Sequence, residues 1–274
     1  MKTAIAFIAV AMSWPSAEFV RMFAPRSENA SATRVLATTE RFGDDLATIR
    51  RGKVPPAFLE KHASVIQTLR AQIISNDPPV WALDIDDIVG PPSPPFRTLV
   101  RLFAIFDADA LAQKNTAAAW ADLHAVWILS RSLWQRPDTI SIAVALNGSR
   151  IIAAAGPKIG PPLPAWWSDF KSFDVLAPLL HATEYEAYTT RLRAERYPLG
   201  EPDVWGIGDA IRYLVAPFVR PIRIAKSTVA INKMHEMAMK EMNADPCTPF
   251  VIEGMPEWSG FVQRFNDYRC GLTK

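Results

Sequence analysis

The amino-acid sequence predicts an all-α protein, an irregular multi-helix bundle of helical hairpins with proline-rich connections. Every long apolar pattern repeats near 3.6 residues, which is the period of an α-helix. Glycine is scarce at 12 residues and proline abundant at 23, which suits helices that end at prolines better than a sheet with many glycine turns. Because a proline inside a helix costs about 3 kcal/mol or more, the clustered prolines mark the connections between helices: Pro55-Pro56, Pro78-Pro79, Pro91-Pro92, Pro94-Pro95 and Pro161-Pro162-Leu163-Pro164.

The composition is that of a folded globular chain. Of the 274 residues, 49% are hydrophobic and 21% are charged, which argues against a disordered chain and against a membrane protein with several spans. The net charge of +2 gives no broad positive field, so we expect no nucleic-acid partner. We expect one helical domain over residues 26–274, with 160–164 as the one reasonable point of subdivision.

The first residues combine a positive charge with a short apolar run. Lys2 precedes the apolar residues 3–12, a pattern typical of secretory signals and too short to span a bilayer. We therefore interpret residues 1–25 as a signal or N-terminal anchor segment and predict a periplasmic or secreted protein. The alternative is an N-terminal helix that packs on the core through Ile5, Ile8 and Met12, in which case the protein is cytoplasmic.

Cys247 and Cys270 are the two cysteines of the chain. An even number of cysteines in an exported protein is compatible with one stabilising disulfide. The residues around Cys247 have poor helical periodicity, so a covalent bridge would stabilise them. We predict this bridge, with two independent thiols as the alternative.

Two helices and a packed loop are predicted in the first third of the chain. Residues 29–50 fit one helix face loosely, with Gly52 as the C-cap. Residues 57–74 follow a cleaner helical pattern that stops at Asn76-Asp77-Pro78-Pro79, and the two helices are expected to pair as a hairpin. Residues 80–95 alternate apolar and acidic side chains like a strand, but they lie between proline pairs, which predicts a loop.

The clearest helical patterns lie in the middle of the chain. An apolar stripe from Leu99 to Ala110 predicts one helix, and Asn115 stands where an N-cap would start the next. That next helix, residues 116–134, is apolar around most of its circumference, as expected for the centre of the fold. Pro137-Asp138 is predicted to start a third helix that ends near Gly156-Pro157.

Further helices are predicted beyond the connection at 160–164. In chain order the pattern predicts helical turns from Trp166 to Leu180, a charged helix up to Tyr197, a loop over 200–208, a short helix over 211–218 and a long helix with Met234, Met237, Met239 and Met242. Methionines at helical spacing are commonly core residues, and an adaptable binding surface is the alternative.

Several of these segments resemble a known group of proteins. They occur in this order: Asn29, Trp81 before a proline-rich step, Ala117-Ala118-Ala119-Trp120-Ala121-Asp122-Leu123 and Leu129-Ser130-Arg131-Ser132-Leu133. Together they resemble a loose group of exported, all-helical bacterial proteins of unknown function. The resemblance implies export and an all-helical fold, and it implies no activity and no site residues.

The sequence contains no motif of a common enzyme class, such as Gly-x-Ser-x-Gly, a phosphate-binding glycine loop or His-Glu-x-x-His. The most acidic cluster is Asp84, Asp86 and Asp87, whose carboxylates could act as an acid/base pair or hold a hard cation. The cluster departs from an EF-hand loop, because Val89 stands where that loop needs glycine. Solvated loop carboxylates or helix caps are the simpler interpretation.

Two histidines lie in helical segments. His181 and Glu184 are three residues apart, so they could share one helix face as a metal-binding or acid/base pair. A bundle metal site would need a second pair, and His235-Glu236 has the wrong order; we therefore expect no metal site and no cofactor. His124 lies in the most apolar helix and is predicted to be a hydrogen-bonded core residue.

Tryptophans are the candidate ligand-binding residues. The chain has 9 of them, and Trp166, Trp167 and Trp205 could line a groove for an apolar ligand or a glycan, although most tryptophans are expected to be buried. The sequence favours a protein that acts by binding an envelope protein or an apolar ligand. The alternative is a hydrolase that uses the acids near Asp84 or Glu184, which would require these acids to converge in a pocket with a histidine.

Overall fold

The computed structural model describes residues 17–49, 53–87, 93–196 and 270. These residues are 73% helical and contain no β-strand, which confirms the prediction of an all-α fold. The helices of the described ranges are α1 (Ala17–Met22), α2 (Ala30–Thr39), a 3₁₀ turn (Glu40–Phe42), α3 (Asp45–Thr48), α4 (Pro56–Ser75), α5 (Phe96–Ala112), α6 (Thr116–Trp134), α7 (Thr139–Ile159), α8 (Trp166–Ser172) and α9 (Leu176–Arg196).

Helix α6 lies at the centre of the fold, as its apolar circumference predicts. Helices α5 and α7 pack against it on two sides, and α4 packs on α6 and on α2. The side chain of Asn115 accepts hydrogen bonds from the backbone N–H groups of Ala117 (2.9 Å) and Ala118 (3.3 Å), which confirms the predicted N-cap. Helix α6 is therefore held from several sides and begins at the residue that the sequence predicts.

One main cluster of buried side chains joins α2 to α9. Phe170 of α8 and Leu179 of α9 belong to the same cluster as Leu102 of α5 and Leu133 of α6. Within the described residues, the hydrophobic core thus continues across the connection at 160–164.

Helices α5, α6 and α7 approach one another closely at Gly148. A Cβ atom at this position would lie 2.1 Å from Ser130 Oγ of α6 and 3.0 Å from Phe103 Cε2 of α5. Because glycine has no side chain, the backbone of α7 can approach α5 and α6 closely at this position without a steric clash.

Helix α7 is long and apolar enough to cross a membrane when only length and composition are considered, and 56% of its most apolar window is buried inside the fold.

The N-cap of α7 is Asp138, which accepts a hydrogen bond from Ser141 N at 2.8 Å. The helix ends two residues after the predicted end near Gly156-Pro157, because it continues to Ile159 with Pro157 inside it. The residue that ends it is Gly160, whose φ of 75° is a conformation that favours glycine.

The prediction of one helix over residues 29–50 is wrong. Helix α2 ends at Thr39 and is followed by the 3₁₀ turn and the short helix α3. Gly43, with a φ of 57°, stands between the turn and α3. A positive φ interrupts the series of helical hydrogen bonds. The loose apolar pattern of residues 29–50 is consistent with this interruption.

The loop that starts at residue 80 is confirmed in its described part. Trp81, Leu83 and Ile85 are buried, and the indole N–H of Trp81 donates to Ser132 Oγ of α6 at 2.9 Å. Leu83 also forms an isolated antiparallel bridge with Arg26. The strand-like alternation of apolar and acidic side chains therefore comes from a loop that packs one face on the helices.

Several predicted features lie outside the described residues: residues 1–16, Gly52, residues 200–208 and 211–218, the helix with Met234, Met237, Met239 and Met242, and also Trp205, His235-Glu236 and Cys247. Cys270 is described and is helical. Since its predicted partner is not, the disulfide stays a prediction.

Candidate functional site: a groove between α5 and α7

The acidic residues of the 84–87 loop take part in the structure of that loop. Asp84 Oδ1 accepts a hydrogen bond from the backbone N–H of Asp86 at 3.0 Å, and Asp86 Oδ1 accepts one from the hydroxyl of Tyr188 on α9. In the described ranges no three His, Cys, Asp or Glu side chains form a group able to hold a metal ion. The first contact stabilises the loop itself, and the second connects the loop to α9.

His181 and Glu184 lie on α9 beside the N-terminal helix α1. The imidazole of His181 packs edge-on against the ring of Phe23, with 5.1 Å between centroids, and burial lowers the pKa of His181. Burial, and then the nearby charge of Glu18, raise the pKa of the Glu184 carboxyl. Through Phe23, His181 contacts a small hydrophobic cluster that includes Phe19 and Tyr185.

Trp166 and Trp167 pack against the centre of the bundle. Trp166 stacks on His124 with centroids 5.1 Å apart and an interplanar angle of 4°, and Trp167 meets Trp120 edge-on at 5.2 Å. Gly156 of α7 makes room for Trp167, because a Cβ atom there would lie 2.6 Å from the indole. The two tryptophans thus help to seat α8, and burial lowers the pKa of His124 beneath them.

An open cavity of about 630 Å³ lies elsewhere, between one face of α5 and the facing side of α7. Its apolar lining consists of Ile49, Phe96, Val100, Ala104 and Ile151. The apolar residues from α5 recur at intervals of four, so they belong to one helix face. A concave, mainly apolar cavity of this size is typical of small-molecule sites.

Four polar residues complete the lining of this groove: Arg97, Arg101, Asp107 and Asn147. In the part of the chain that the structure describes, no carboxylate lies within 4.0 Å of either arginine. Burial raises the pKa of Asp107, while the nearby charge of Lys158 acts in the opposite direction. Among the described residues, the groove therefore has two cations without a counter-ion toward the start of α5 and one half-buried carboxyl group further along.

Sequence reasoning missed this groove. The available signal was a pair of arginines at positions i and i+4 of a strongly apolar helix, without an acidic residue three or four positions away from Arg97. Like charges at that spacing destabilise a helix. A pair of this kind can therefore indicate an anion-binding site. The cavity itself depends on how α7 and Ile49 lie against α5, which no local pattern encodes.

A buried charge cluster that the sequence analysis also missed links α4, α5 and α6. Asp122 is completely buried, and its Oδ1 accepts a hydrogen bond from Arg70 Nη1 at 2.8 Å. Asp109 lies 3.6 Å from the same nitrogen. Burial, and then the charge of Asp109, raise the pKa of Asp122 to about 8 in spite of Arg70.

The two carboxyl groups of this cluster are arranged to share a proton. Asp122 Oδ2 is buried and has no hydrogen-bond partner among the described residues. In the ionised carboxylate this oxygen can only accept a hydrogen bond. The interaction with the Asp109 carboxylate also raises the pKa of Asp122, and a proton on Asp122 would turn the unpaired oxygen into a donor. Because Asp122 is sealed from solvent, we assign the cluster to the stability of the core and not to contact with a ligand.

Comparison with protein-family models, with curated proteins and with solved structures finds no match to this chain. The groove is therefore interpreted from its own geometry and charge.

Proposed function

We propose that this protein acts by binding a small molecule with an apolar body in the groove between α5 and α7. The observation that carries the proposal is the 630 Å³ cavity with its largely apolar lining. Val100 is 38% exposed at this groove, and filling the groove with a ligand would remove apolar surface from water, at roughly 25 cal/mol per Å². The proposed hydrolytic alternative has less support, since none of Asp84, Asp86, Asp87, His181 or Glu184 is among the residues that line the groove.

The test is calorimetric titration of the full chain with two ten-carbon amphiphiles, 1-decanol and sodium decanoate. We expect at least one to bind, and we expect Val100→Trp to weaken that binding about tenfold or more, because the indole would occupy the apolar centre of the groove. Leu111→Trp is the matched control, since Leu111 is 46% exposed on the same helix and does not line the groove. Failure of both amphiphiles to bind, or equal weakening by the two variants, would contradict the proposal.

We further propose that the chain is exported to the periplasm or secreted. The support is the Lys2 and apolar 3–12 pattern, together with the absence of a free thiol among the described residues, which is compatible with the Cys247–Cys270 bridge. Phe19 and Phe23 are buried against Leu83 and Ile85, so a cleaved signal should be shorter than 25 residues and end before Phe19.

This proposal is tested on protein isolated from fractionated cells. We expect a mature N-terminus between residues 13 and 19 by mass spectrometry, and we expect no free thiol when the unreduced protein is denatured and titrated. An intact Met1 in a cytoplasmic fraction, or two free thiols in exported material, would argue against it.

A further inference from the structure

We infer that the ligand of the groove is an amphipathic anion, a single apolar chain with a carboxylate head, and that Arg97 and Arg101 bind the head. The inference rests on the proposed function, because it names the class of molecule that the same groove would bind. It is carried by the uneven distribution of charge along the groove.

The cationic end of the groove is formed by two arginines one turn apart on α5. Four residues of helix separate them by about 6 Å along the axis, so both guanidinium groups can reach one head group. Neither has a carboxylate within 4.0 Å among the described residues. The planar donor fork of arginine matches the geometry of a carboxylate, and an anion between the two would also relieve their mutual repulsion.

The start of helix α5 adds to the positive potential at this end. The helix begins at Phe96, its N-cap is Pro95, and no side-chain hydrogen bond caps it. The N-terminus of a helix carries a partial positive charge that favours anions within its first turn. Arg97 lies in that turn, so the helix and the side chain attract the same head group.

The remainder of the groove determines the orientation of the ligand. Past Arg101 the next lining residue of α5 is Ala104, and α7 contributes Ile151 and the uncharged Asn147. Asp107 then follows about 9 Å beyond Arg101 along the helix axis. A carboxylate placed near Asp107 would be repelled when that group is ionised, so the head belongs at the arginines and the apolar chain extends toward Asp107.

The test compares decanoate, 1-decanol and decyltrimethylammonium on the full-length protein by calorimetry. We expect decanoate to bind about tenfold or more tightly than the neutral alcohol, which corresponds to 1.4 kcal/mol or more, and the cation to bind most weakly. The double variant Arg97→Gln/Arg101→Gln should remove this preference while changing the affinity for 1-decanol less than about twofold. Asp107→Asn should tighten decanoate binding, because it removes a negative charge from the groove.

The control is Arg150→Gln, which removes an exposed arginine of α7 that does not line the groove; decanoate binding should remain as in the unmodified protein. Circular dichroism establishes that each variant is folded. Equal affinities for decanoate and 1-decanol would overturn this inference and leave the proposed function in place. Absence of binding by all three probes would overturn the proposed function as well, and a normal decanoate preference in the double arginine variant would overturn the assigned residues.

Discussion

Replacing the buried Arg136 with methionine is expected to lower the free energy of unfolding by about 3–5 kcal/mol. Arg136 is 2% exposed, and its Nε donates to Asp138 Oδ2 at 2.9 Å and to Ser141 Oγ at 3.0 Å. Its Nη1 donates to the carbonyl oxygen of Ala82. A single side chain thus connects the end of α6, the start of α7 and the packed loop, and removing it takes the Arg136 donor away from the Ala82 carbonyl and one of two donors away from Asp138 Oδ2.

Urea denaturation gives the change in unfolding free energy, and amide hydrogen exchange should show faster exchange in the 80–87 loop. The control is Arg150→Met, because Arg150 is exposed on α7 and surface substitutions usually change stability by less than about 0.5 kcal/mol. If Arg136→Met lost no more stability than this control, the central role given to Arg136 would be wrong.

The second large effect is a change in the pH dependence of stability on replacing Asp122 with asparagine. The folded chain holds Asp122 at a pKa of about 8, whereas the ordinary value is 3.8. Between these two pH values the folded state keeps a proton that the unfolded state has released, so stability falls as pH rises through this window. Asparagine keeps an oxygen for Arg70 and an N–H donor for Asp109, and it cannot ionise.

We therefore expect the stability of Asp122→Asn relative to the unmodified protein to be lowest near and below the ordinary pKa and to increase from pH 5 to pH 9. Each pKa unit corresponds to about 1.4 kcal/mol, and the pKa of about 8 already includes the opposing effect of Arg70, so a relative gain of at least about 1 kcal/mol between pH 5 and pH 9 is expected. Denaturation at pH 5, 7 and 9 measures it. The comparison between variants is needed, because Asp107 and Glu184 also have raised pKa values and titrate in both proteins.

Two further variants test the assignment. Asp109→Asn removes the neighbouring charge that raises the Asp122 pKa, so the loss of stability should end at a lower pH than in the unmodified protein. Asp77→Asn, at an exposed loop position, should keep the original dependence. Parallel stability curves for Asp122→Asn and the unmodified protein from pH 5 to 9 would contradict a raised pKa at Asp122.

The sequence predicted the helical elements best where a single local interaction controls them. Helix α6 begins after the cap formed by Asn115, and α4 covers the predicted residues 57–74 with one more residue at each end. Capping and proline stops act within a few residues, so they can be read directly from the chain. The break at Gly43 was missed because the loose apolar pattern of residues 29–50 indicates an irregular helix without showing the residue at which it breaks.

The sequence by itself determined the all-α class, the central position of α6 and the packed loop at Trp81, since apolar period and proline position are local properties. The tertiary structure alone decided which polar residues meet. Arg70, Asp109 and Asp122 come from three different helices, and the groove needs Ile49, α5 and α7 together. Their chemistry depends on burial and on distances between segments far apart in the chain, because desolvation and Coulomb interactions act through space and not along the sequence.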